Sequence, residues 1–440
     1  MSDVIDCRAQ FPTGPEADAW RATVLPPMAG GLKGSSILRI AYAIKAMQAE
    51  GTPVCNLTVG DFSPEQFSIP EPMRDGIAAA LAAGETNYPP AFGTPELRQA
   101  VVNLYRRDLG LEYSVDSVIV GSGARPPIFA AFALCVQAGD KVIYCVPSWN
   151  NHHYVHINAS VPVRVECGPE TDFLPTAELL EGQLEGASLL CLNSPLNPTG
   201  TVFEREQLEG ICDLVLAENR KREAAGERPL FVIYDQVYWM LTFGEAEHLT
   251  PPGLRPEMAR YTILVDAVSK SFAATGLRVG WGIVPEPLSL PFRAFMGHMG
   301  AWAPKPEQLA TAALLEDAQA IADYHATMKQ GIADRLFALH DGLQAMKAKG
   351  LPTDSIAPQG AIYLTGRFDI AGRTWRGKVI ETDEDVRSFL LEEAGFGIVP
   401  LSVFGPRDVV GWVRLSVGAV GLDEIADGLA RIESALGELG

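Results

Sequence analysis

Short β-rich segments alternate with longer helical patterns through the middle of this 440-residue chain. Each segment is rich in Val, Ile and Leu, and most end at a polar or glycine-containing turn. Such a rhythm is typical of a mostly parallel sheet with helices on both faces. The sequence therefore predicts an α/β fold whose strands include 117–122, 141–146, 189–192, 230–235, 262–266 and 279–284.

The last third of the chain has a different pattern. A helical stretch over 307–347 is followed by the strand-like runs 361–368 and 412–418, and a final helix begins at Leu422. This order predicts a second, smaller α+β domain. We expect a helix over 35–50 to pack with it. The predicted division is an amino-terminal segment (1–50), a large domain (51–300) and a small domain (301–440).

Charge and cysteine content restrict the partners and the compartment. The formal net charge is −19 and no Lys- or Arg-rich run occurs, which disfavours nucleic acid as a partner. The seven cysteines form no Cys-x-x-Cys pair and are odd in number, as expected of reduced thiols. The amino terminus is acidic without the apolar core of a signal peptide, and no apolar run reaches the roughly 18 residues of a membrane span. The sequence predicts a cytoplasmic protein without a membrane segment.

Polar residues follow three of the predicted strands. The loop NSPLNPTG places Asn197 just beyond a strand's carboxyl end, where ligands bind in open α/β sheets. Asp235 ends the next strand, and a carboxylate there is costly to bury unless a cation or a hydrogen-bond donor meets it. A third loop carries Lys270 and Arg278. A desolvated lysine beside an arginine loses basicity and can form a Schiff base at neutral pH.

The stretch GSGARPPIF follows the strand at 117–122 and begins a helix with proline in its first turn. Helix amino termini carry unpaired N–H groups, so the amides of Gly123, Ala124 and Arg125 are predicted to bind an anion such as phosphate. Taken singly, each of these features is also consistent with an ordinary turn or a helix cap.

The order of these features resembles that of the fold-type I pyridoxal phosphate enzymes, and of the class I/II aminotransferase family in particular. AVSK (267–270) followed by GLRVG (276–280) is similar to the family's lysine motif, and the match extends over nearly the whole chain. The resemblance implies pyridoxal 5'-phosphate as the cofactor and a large domain built on a mostly parallel, seven-stranded sheet. It also implies transfer of an amino group from an L-amino acid to a 2-oxo acid.

The resemblance also implies a role for individual residues. Lys270 would hold the cofactor as a Schiff base and later transfer the proton, and Asp235 would pair with the pyridine nitrogen. Asn197 and Tyr238 would hydrogen-bond the ring's phenolic oxygen, and Trp149 would stack on the ring. Lys270, Asp235 and Tyr238 are thus the predicted catalytic residues.

The cofactor phosphate would lie on the amides of 123–125, with Arg278 supplying charge. Ala267 stands where many members of the family have Ser, so one phosphate hydroxyl is missing, and Ser269 or Arg125 is the candidate replacement. Gln236 likewise stands where Glu is frequent in the family.

Three further segments match the family. NYPPAFGTPELR resembles the segment whose tyrosine, here Tyr88, reaches the phosphate of the neighbouring subunit, which implies a homodimer with shared active sites. WVRLSVG resembles the segment whose arginine, here Arg414, binds the substrate's α-carboxylate, a task that suits a planar guanidinium. Gly60, in LTVGDF, and Asn197 are implied to lie beside the same carboxylate.

Two alternatives to an aminotransferase remain at this point. A lyase or decarboxylase of the same fold is possible because the cofactor supplies the carbanion chemistry and the pocket selects the bond that breaks. A ligand-sensing module is disfavoured, since no basic helix-turn-helix segment is found ahead of the match. The histidines of HHYVH (152–156) predict no metal site, because successive residues of a strand point to opposite faces and no acidic or thiol ligand completes a set.

Overall fold

A computed structural model describes residues 6–34 and 36–439 of the chain. Its strands form a seven-stranded sheet, a four-stranded sheet and two short two-stranded pairs. They are β1 (Cys55–Asn56), β2 (Val118–Gly121), β3 (Lys141–Val146), β4 (Val161–Glu166), β5 (Ala187–Asn193), β6 (Phe231–Asp235), β7 (Thr262–Ala267), β8 (Gly280–Ile283), β9 (Thr353–Ser355), β10 (Tyr363–Phe368), β11 (Thr374–Trp375), β12 (Lys378–Val379), β13 (Phe396–Gly397), β14 (Val399–Pro400) and β15 (Trp412–Ser416).

The helices of the described residues lie on both faces of the large sheet and around the smaller one. They are α1 (Pro15–Val24), α2 (Pro27–Gly30), α3 (Ser36–Ala49), α4 (Glu71–Ala82), α5 (Pro95–Leu109), α6 (Arg125–Cys135), α7 (Asn151–Ile157), α8 (Ala177–Leu180), α9 (Arg205–Ala225), α10 (Pro251–Leu254), α11 (Val268–Ser271), α12 (Glu286–Met299), α13 (Lys305–Glu316), α14 (Ala318–Ala348), α15 (Asp383–Ala394) and α16 (Leu422–Glu438). None of them is long and apolar enough to cross a membrane.

The large sheet has the strand order β2-β8-β7-β6-β5-β3-β4. The pairs from β7 to β4 are parallel, and β8 runs antiparallel to both β2 and β7. The carboxyl ends of β5, β6 and β7 therefore lie side by side at one edge of the sheet. The predicted α/β class and the mostly parallel sheet are confirmed, and the predicted strands are all present within two residues of their expected bounds.

Hydrophobic residues on both faces of the large sheet bury it between helices. Successive strand residues alternate between the two faces, so Leu264 belongs to the apolar cluster with α5 and α9, whereas Val265 belongs to the cluster with α6 and α12. Helix α9 contributes Leu208, Ile211 and Val215 to the first cluster, as its amphipathic sequence predicts.

A separate apolar cluster lies around the antiparallel sheet β14-β15-β10-β9 and the helices α14, α15 and α16. Helix α3 approaches this part of the chain, because Ile44 packs against Val54 and against Leu391 of α15. Helix α13, in contrast, packs on α4 and α5 and contributes Leu314 and Leu315 to a cluster of the large sheet.

Two sequence predictions differ from the structure. The helical stretch predicted over 307–347 is two helices, because Asp317 leaves the helical conformation and its side chain accepts a hydrogen bond from Ala320 N at 2.9 Å, which begins α14. The histidines of 152–156 lie on α7 and not on a strand, so His152 and His153 are neighbours with ring centres 3.9 Å apart. Among the described residues, no group of three or more His, Cys, Asp or Glu is placed to hold a metal ion.

Candidate active site

A cavity of about 1200 Å³ lies at the carboxyl ends of β5, β6 and β7. Of the residues that the sequence predicted for the site, all except Gly123 and Tyr88 line it. Those that do are Gly60, Ala124, Arg125, Trp149, Asn197, Asp235, Tyr238, Lys270, Arg278 and Arg414. These residues come from distant parts of the chain, and the fold brings them to one cavity, as the order of the motifs predicted.

Lys270 lies on the single turn of α11, which begins directly after β7. Its Nζ donates a hydrogen bond to the carbonyl oxygen of Gly60 at 2.7 Å. Burial lowers the pKa of this amine to about 8; the carboxylate of Asp61 opposes the shift and the cavity arginines add to it. A fraction of the amine is therefore unprotonated near neutral pH, which is what a nucleophilic lysine requires.

Asp235 ends β6 and faces the same cavity. Its Oδ1 accepts a hydrogen bond from the backbone N–H of Val237 at 3.3 Å, and desolvation raises the pKa of the carboxyl group to about 6. Within the described chain, no Lys, Arg or His forms an ion pair with it. A protonated nitrogen of a ligand in the cavity would supply the missing cation.

Arg414, on β15, is 1% exposed. Its Nη2 donates to Thr58 O at 2.7 Å and its Nη1 donates to Asn197 Oδ1 at 3.2 Å, while Nε has no hydrogen-bond partner among the described residues. Burial lowers the pKa of this guanidinium. A buried cation without a carboxylate partner is the expected feature of a site that awaits an anionic ligand.

Two aromatic rings hold this guanidinium. Its central carbon lies 4.8 Å from the ring centre of Tyr363 and 5.0 Å from that of Phe404. The hydroxyl of Tyr363 is in turn hydrogen-bonded to that of Tyr238 at 2.7 Å. Gly60 allows this close packing, since a Cβ atom at residue 60 would lie 2.7 Å from the Tyr363 hydroxyl.

The predicted phosphate site needs one correction. The N–H of Gly123 donates to the carbonyl oxygen of Gly121 at 2.7 Å, so it is not free to bind an anion as the sequence suggested. The N–H groups of Ala124 and Arg125, at the amino terminus of α6, have no hydrogen-bond acceptor among the described residues. They are the two amides that remain available.

Gly123 instead makes room for Arg278. It has a φ of +85°, and a Cβ atom there would lie 2.4 Å from Arg278 Nη2. The guanidinium donates to Thr275 O at 2.8 Å and to Ser122 O at 3.1 Å, and Arg278 itself has a φ of +57°. A left-handed backbone at a residue with a long side chain is strained, and such strain clusters at ligand sites.

Trp149 follows β3 and lies on the wall of the cavity. The guanidinium carbon of Arg125 is 5.7 Å from its ring centre, and the ring of Phe404 is 6.5 Å away. Tyr88 lies elsewhere: it is 82% exposed and packs edge-on against Trp302 at 5.1 Å, outside the cavity.

Sequence reasoning missed three residues of the site. Tyr363 lies in a strand that the sequence predicted, but its contacts with Tyr238 and Arg414 join distant segments and leave no local pattern. Asp61 and Thr275 line the cavity and are joined by a hydrogen bond of 2.6 Å between Thr275 Oγ1 and Asp61 Oδ1. Asp61 directly follows Gly60 in the motif LTVGDF, so its position beside a predicted site residue was a signal that could have identified it.

A nucleophilic lysine at the end of one parallel strand, a carboxylate at the end of its neighbour and a helix amino terminus facing the same cavity characterise the fold-type I pyridoxal phosphate enzymes. The chain belongs to the aminotransferase class I and II family, whose sequence model matches residues 52–432. It is a pyridoxal phosphate-dependent aminotransferase, and the expectation from the sequence motifs is confirmed in this respect.

Relatives and solved structures agree with this assignment. The chain is 29% identical to the aspartate aminotransferase of Bacillus sp. (strain YM-2), over 91% of this chain and 96% of the relative. It is 31% identical to the aspartate aminotransferase of Streptomyces avermitilis, over 93% and 95%. The crystal structure of the aspartate aminotransferase from Rhizobium meliloti has a TM-score of 0.86 at 28% identity, with 94% of this chain and 99% of that chain covered. The Thermus thermophilus aspartate aminotransferase with maleate has a TM-score of 0.82 at 26% identity, with 93% and 99% covered.

Proposed function

We propose that amino-group transfer takes place in the cavity between Lys270 and Arg414, with an L-amino acid and a 2-oxo acid bound there in turn. The observation that carries this proposal is the buried Arg414 guanidinium, whose Nε lacks a partner in the cavity that also contains Lys270. The α-carboxylate is the group that both substrates share, and one arginine can therefore serve both half-reactions.

The residues of the cavity fit pyridoxal phosphate. Asp235 lacks a cation and suits the pyridine nitrogen, and the amides of Ala124 and Arg125 together with the Arg278 guanidinium suit the phosphate. Ser269 lines the cavity, and this position supports the prediction that its hydroxyl binds the phosphate in place of the one absent at Ala267. When bound, the cofactor supplies an electron-accepting ring that stabilises negative charge at the substrate's α-carbon.

Three side chains are suited to contact the cofactor ring, one by stacking on its face and two by hydrogen-bonding its phenolic oxygen. Trp149 presents an aromatic ring to the cavity. Asn197 uses its Oδ1 for Arg414, which leaves its amide nitrogen free of partners within the described chain. Tyr238 presents a hydroxyl that Tyr363 orients. These groups support the predicted contacts with the phenolic oxygen.

Lys270 is the proposed attachment point and the proposed proton carrier. A pKa near 8 leaves part of the Nζ amine unprotonated, so the amine can attack a carbonyl carbon and can later accept a proton from the substrate's α-carbon. The hydrogen bond to Gly60 O holds the amine next to the residues that are proposed to bind the carboxylate.

A second anionic group on the substrate is the proposed basis of specificity. Lys33 and Arg125 both line the cavity, and neither forms an ion pair or a side-chain hydrogen bond with any described residue. With the phosphate assigned to Arg278 and the α-carboxylate to Arg414, these two cations are available for a side-chain carboxylate. The relatives named aspartate aminotransferase support a dicarboxylic donor.

We further infer that the chain acts as a homodimer with shared active sites in the cytoplasm. The exposure of Tyr88 outside its own cavity supports a role in a neighbouring subunit's site. The free cysteines, of which all but Cys7 are buried, support a reducing compartment. The separate apolar cluster of the antiparallel sheet supports a small domain within the predicted 301–440, and the packing of α13 on α4 and α5 favours counting that helix with the large domain.

Two measurements test the proposed function. Borohydride reduction of the holoenzyme followed by peptide mapping is expected to find the cofactor on Lys270, and an adduct on another lysine would refute the assignment. A donor amino acid supplied without an acceptor is expected to release one equivalent of 2-oxo acid per site and then stop. Continued release of ammonia or carbon dioxide over many turnovers would instead indicate a lyase or a decarboxylase.

A further inference from the structure

A carboxylate that the proposed mechanism does not use is buried behind the site. Asp266, on β7, is 1% exposed. Asp235 pairs with Val265 in the sheet, and the residue after Val265 points to the opposite face. Asp266 therefore lies on the face of the sheet away from the cavity, directly behind the strand ends that carry the site.

Within the described part of the chain, each hydrogen bond of this carboxylate comes from a donor. Its Oδ1 accepts from the backbone N–H of Ala267 at 2.7 Å, and its Oδ2 accepts from Trp239 Nε1 at 2.8 Å and from the Tyr105 hydroxyl at 3.3 Å. The direction of the last bond follows from the other neighbours of Tyr105. Its oxygen receives the amide N–H of Gln236 at 3.1 Å and the indole N–H of Trp281 at 3.3 Å, and neither group can accept.

Two of the three donors belong to the two turns that carry the predicted catalytic residues, and the third, Tyr105, lies on α5. Ala267 begins the turn that contains Lys270. Trp239 follows Tyr238 directly, and Gln236, which reaches Asp266 through Tyr105, follows Asp235. One buried carboxylate thus joins the turn at the end of β6 to the turn at the end of β7.

We propose that Asp266 is a positioning residue whose carboxylate fixes the turn carrying Lys270 relative to the turn carrying Asp235 and Tyr238. This inference rests on the proposed function, because it concerns how the residues of that site are held. Asp266 touches neither the cavity nor a substrate, and it acts through the backbone of Ala267 and the indole of Trp239.

The strength of these three hydrogen bonds depends on the charge of Asp266. A proton on Oδ2 would compete with the Trp239 and Tyr105 donors, and a proton on either oxygen would remove the negative charge that strengthens all three bonds. Burial raises the pKa of Asp266 to about 7, and its three donors oppose that rise. Of the other titratable groups facing it, Asp235 raises the pKa further. Tyr105 and, beyond it, Tyr113 have pKa values raised by burial, and His248, which contacts Gln236 Oε1 at 3.4 Å, has its pKa lowered to about 3.

The sign of the resulting stability change follows from this pKa. An acid whose pKa is higher in the folded protein than in the unfolded chain favours the fold when protonated, and this contribution is lost as the pH rises through the folded value. The apoprotein should therefore lose stability through Asp266 as the pH rises towards about 7, and this loss should be complete above that value. Asp266→Asn removes this titration and retains the size of the side chain.

The first measurement uses the apoprotein, so it does not depend on the cofactor. The melting temperatures of the parent and of Asp266→Asn are compared from about pH 5.5 to about pH 8.5. We expect the parent's value to fall relative to that of the variant up to about pH 7 and to run parallel to it at higher pH. Thr262→Val is the matched control: it lies at the other end of β7 and replaces a buried hydroxyl that has no hydrogen-bond partner among the described residues, so its curve should stay parallel to the parent's.

The second measurement uses the holoenzyme. Asp266→Asn is expected to lower kcat on the order of tenfold, because displaced catalytic groups slow the reaction, while KM for both substrates stays within about twofold. Thr262→Val should leave both constants unchanged. The inference is overturned if the apoprotein curves of the parent and of Asp266→Asn are parallel and kcat is unchanged. It is also overturned if Asp266→Asn raises KM for both substrates equally and leaves kcat unchanged.

Tyr105→Phe decides the matter if Asp266→Asn does not fold. It removes one donor from the carboxylate and keeps the size of the ring, so the pKa of Asp266 should rise and the pH at which the parent-type curve levels off should move to a higher value. If the curve of Tyr105→Phe levels off at the same pH as that of the parent, the inference is contradicted. Failure to recover the cofactor on Lys270 would refute the proposed function but would leave this apoprotein result standing.

Discussion

The guanidinium of Arg414 lies against the ring of Tyr363, with its central carbon 4.8 Å from the ring centre. The two residues lie on the neighbouring antiparallel strands β15 and β10, as diagonal neighbours two positions apart in the register, and the Tyr363 hydroxyl is bonded to that of Tyr238. The residue proposed to bind the carboxylate is thus connected through one tyrosine to a residue proposed to contact the cofactor. Disturbing either side should affect both functions.

Arg414→Ala should weaken both half-reactions. The change removes a charge-assisted contact in a buried site, so each half-reaction is expected to lose about 2–5 kcal/mol of transition-state binding. Single-turnover rates with a donor and with an acceptor measure the two losses separately. Arg367→Ala is the control, since Arg367 lies on β10 against the Trp412 ring and outside the cavity. A loss confined to one half-reaction would contradict a shared carboxylate site.

Asp235→Asn should retain some cofactor and lose most activity, because a neutral amide no longer stabilises a protonated pyridine nitrogen. The apoprotein offers a second readout. The raised pKa of Asp235 means that the parent loses stability as the pH rises towards about 6 and no further above it, and the variant should lack this component. A variant as active as the parent would make Asp235 a structural residue only.

Tyr88→Ala and Lys270→Ala should complement each other if the active sites are shared between subunits. Each variant alone is expected to be nearly inactive. Random mixing after refolding makes half of the dimers hybrids with one intact site of two, so activity should recover to about one quarter of the parent's. Absence of recovery in proven hybrids would place the action of Tyr88 within its own chain.

Arg125→Gln and Lys33→Gln should selectively impair substrates with a second carboxylate. Both cations are exposed, so we expect each change to lower kcat/KM for aspartate by about two- to fivefold and to change kcat/KM for alanine much less. Arg164→Gln, a strand residue of β4 outside the cavity, is a suitable control. An equal loss for both donors would assign these cations to the cofactor alone.

Much of this protein follows from its sequence because the relevant signals are local. The apolar runs that end at Asp235 and before Asn197 predict strands whose carboxyl ends carry polar loops, and the strands are present. The lysine motif around Lys270 and Arg278 gives the family without any knowledge of packing. Backbone geometry and hydrophobic periodicity act over a few residues, and a single chain displays them directly.

The tertiary structure decided what depends on distant contacts. The sequence placed the histidines of 152–156 on a strand, whereas the packing of α7 put them on a helix. It assigned the Gly123 amide to an anion, but that amide is used within its own turn, and Gly123 serves to admit Arg278.

The contacts of Tyr363 and Asp266 show the physical reason. Tyr363 meets Tyr238 only because two distant strands and loops fold against one cavity, and Asp266 meets Tyr105 only because α5 packs on the rear face of the sheet. Burial then sets the charge state of each group, since desolvation raises the pKa of Asp266 to about 7 and lowers that of Lys270 to about 8. Residue types and motifs are written in the sequence, but burial and long-range hydrogen bonds exist only once the chain has folded.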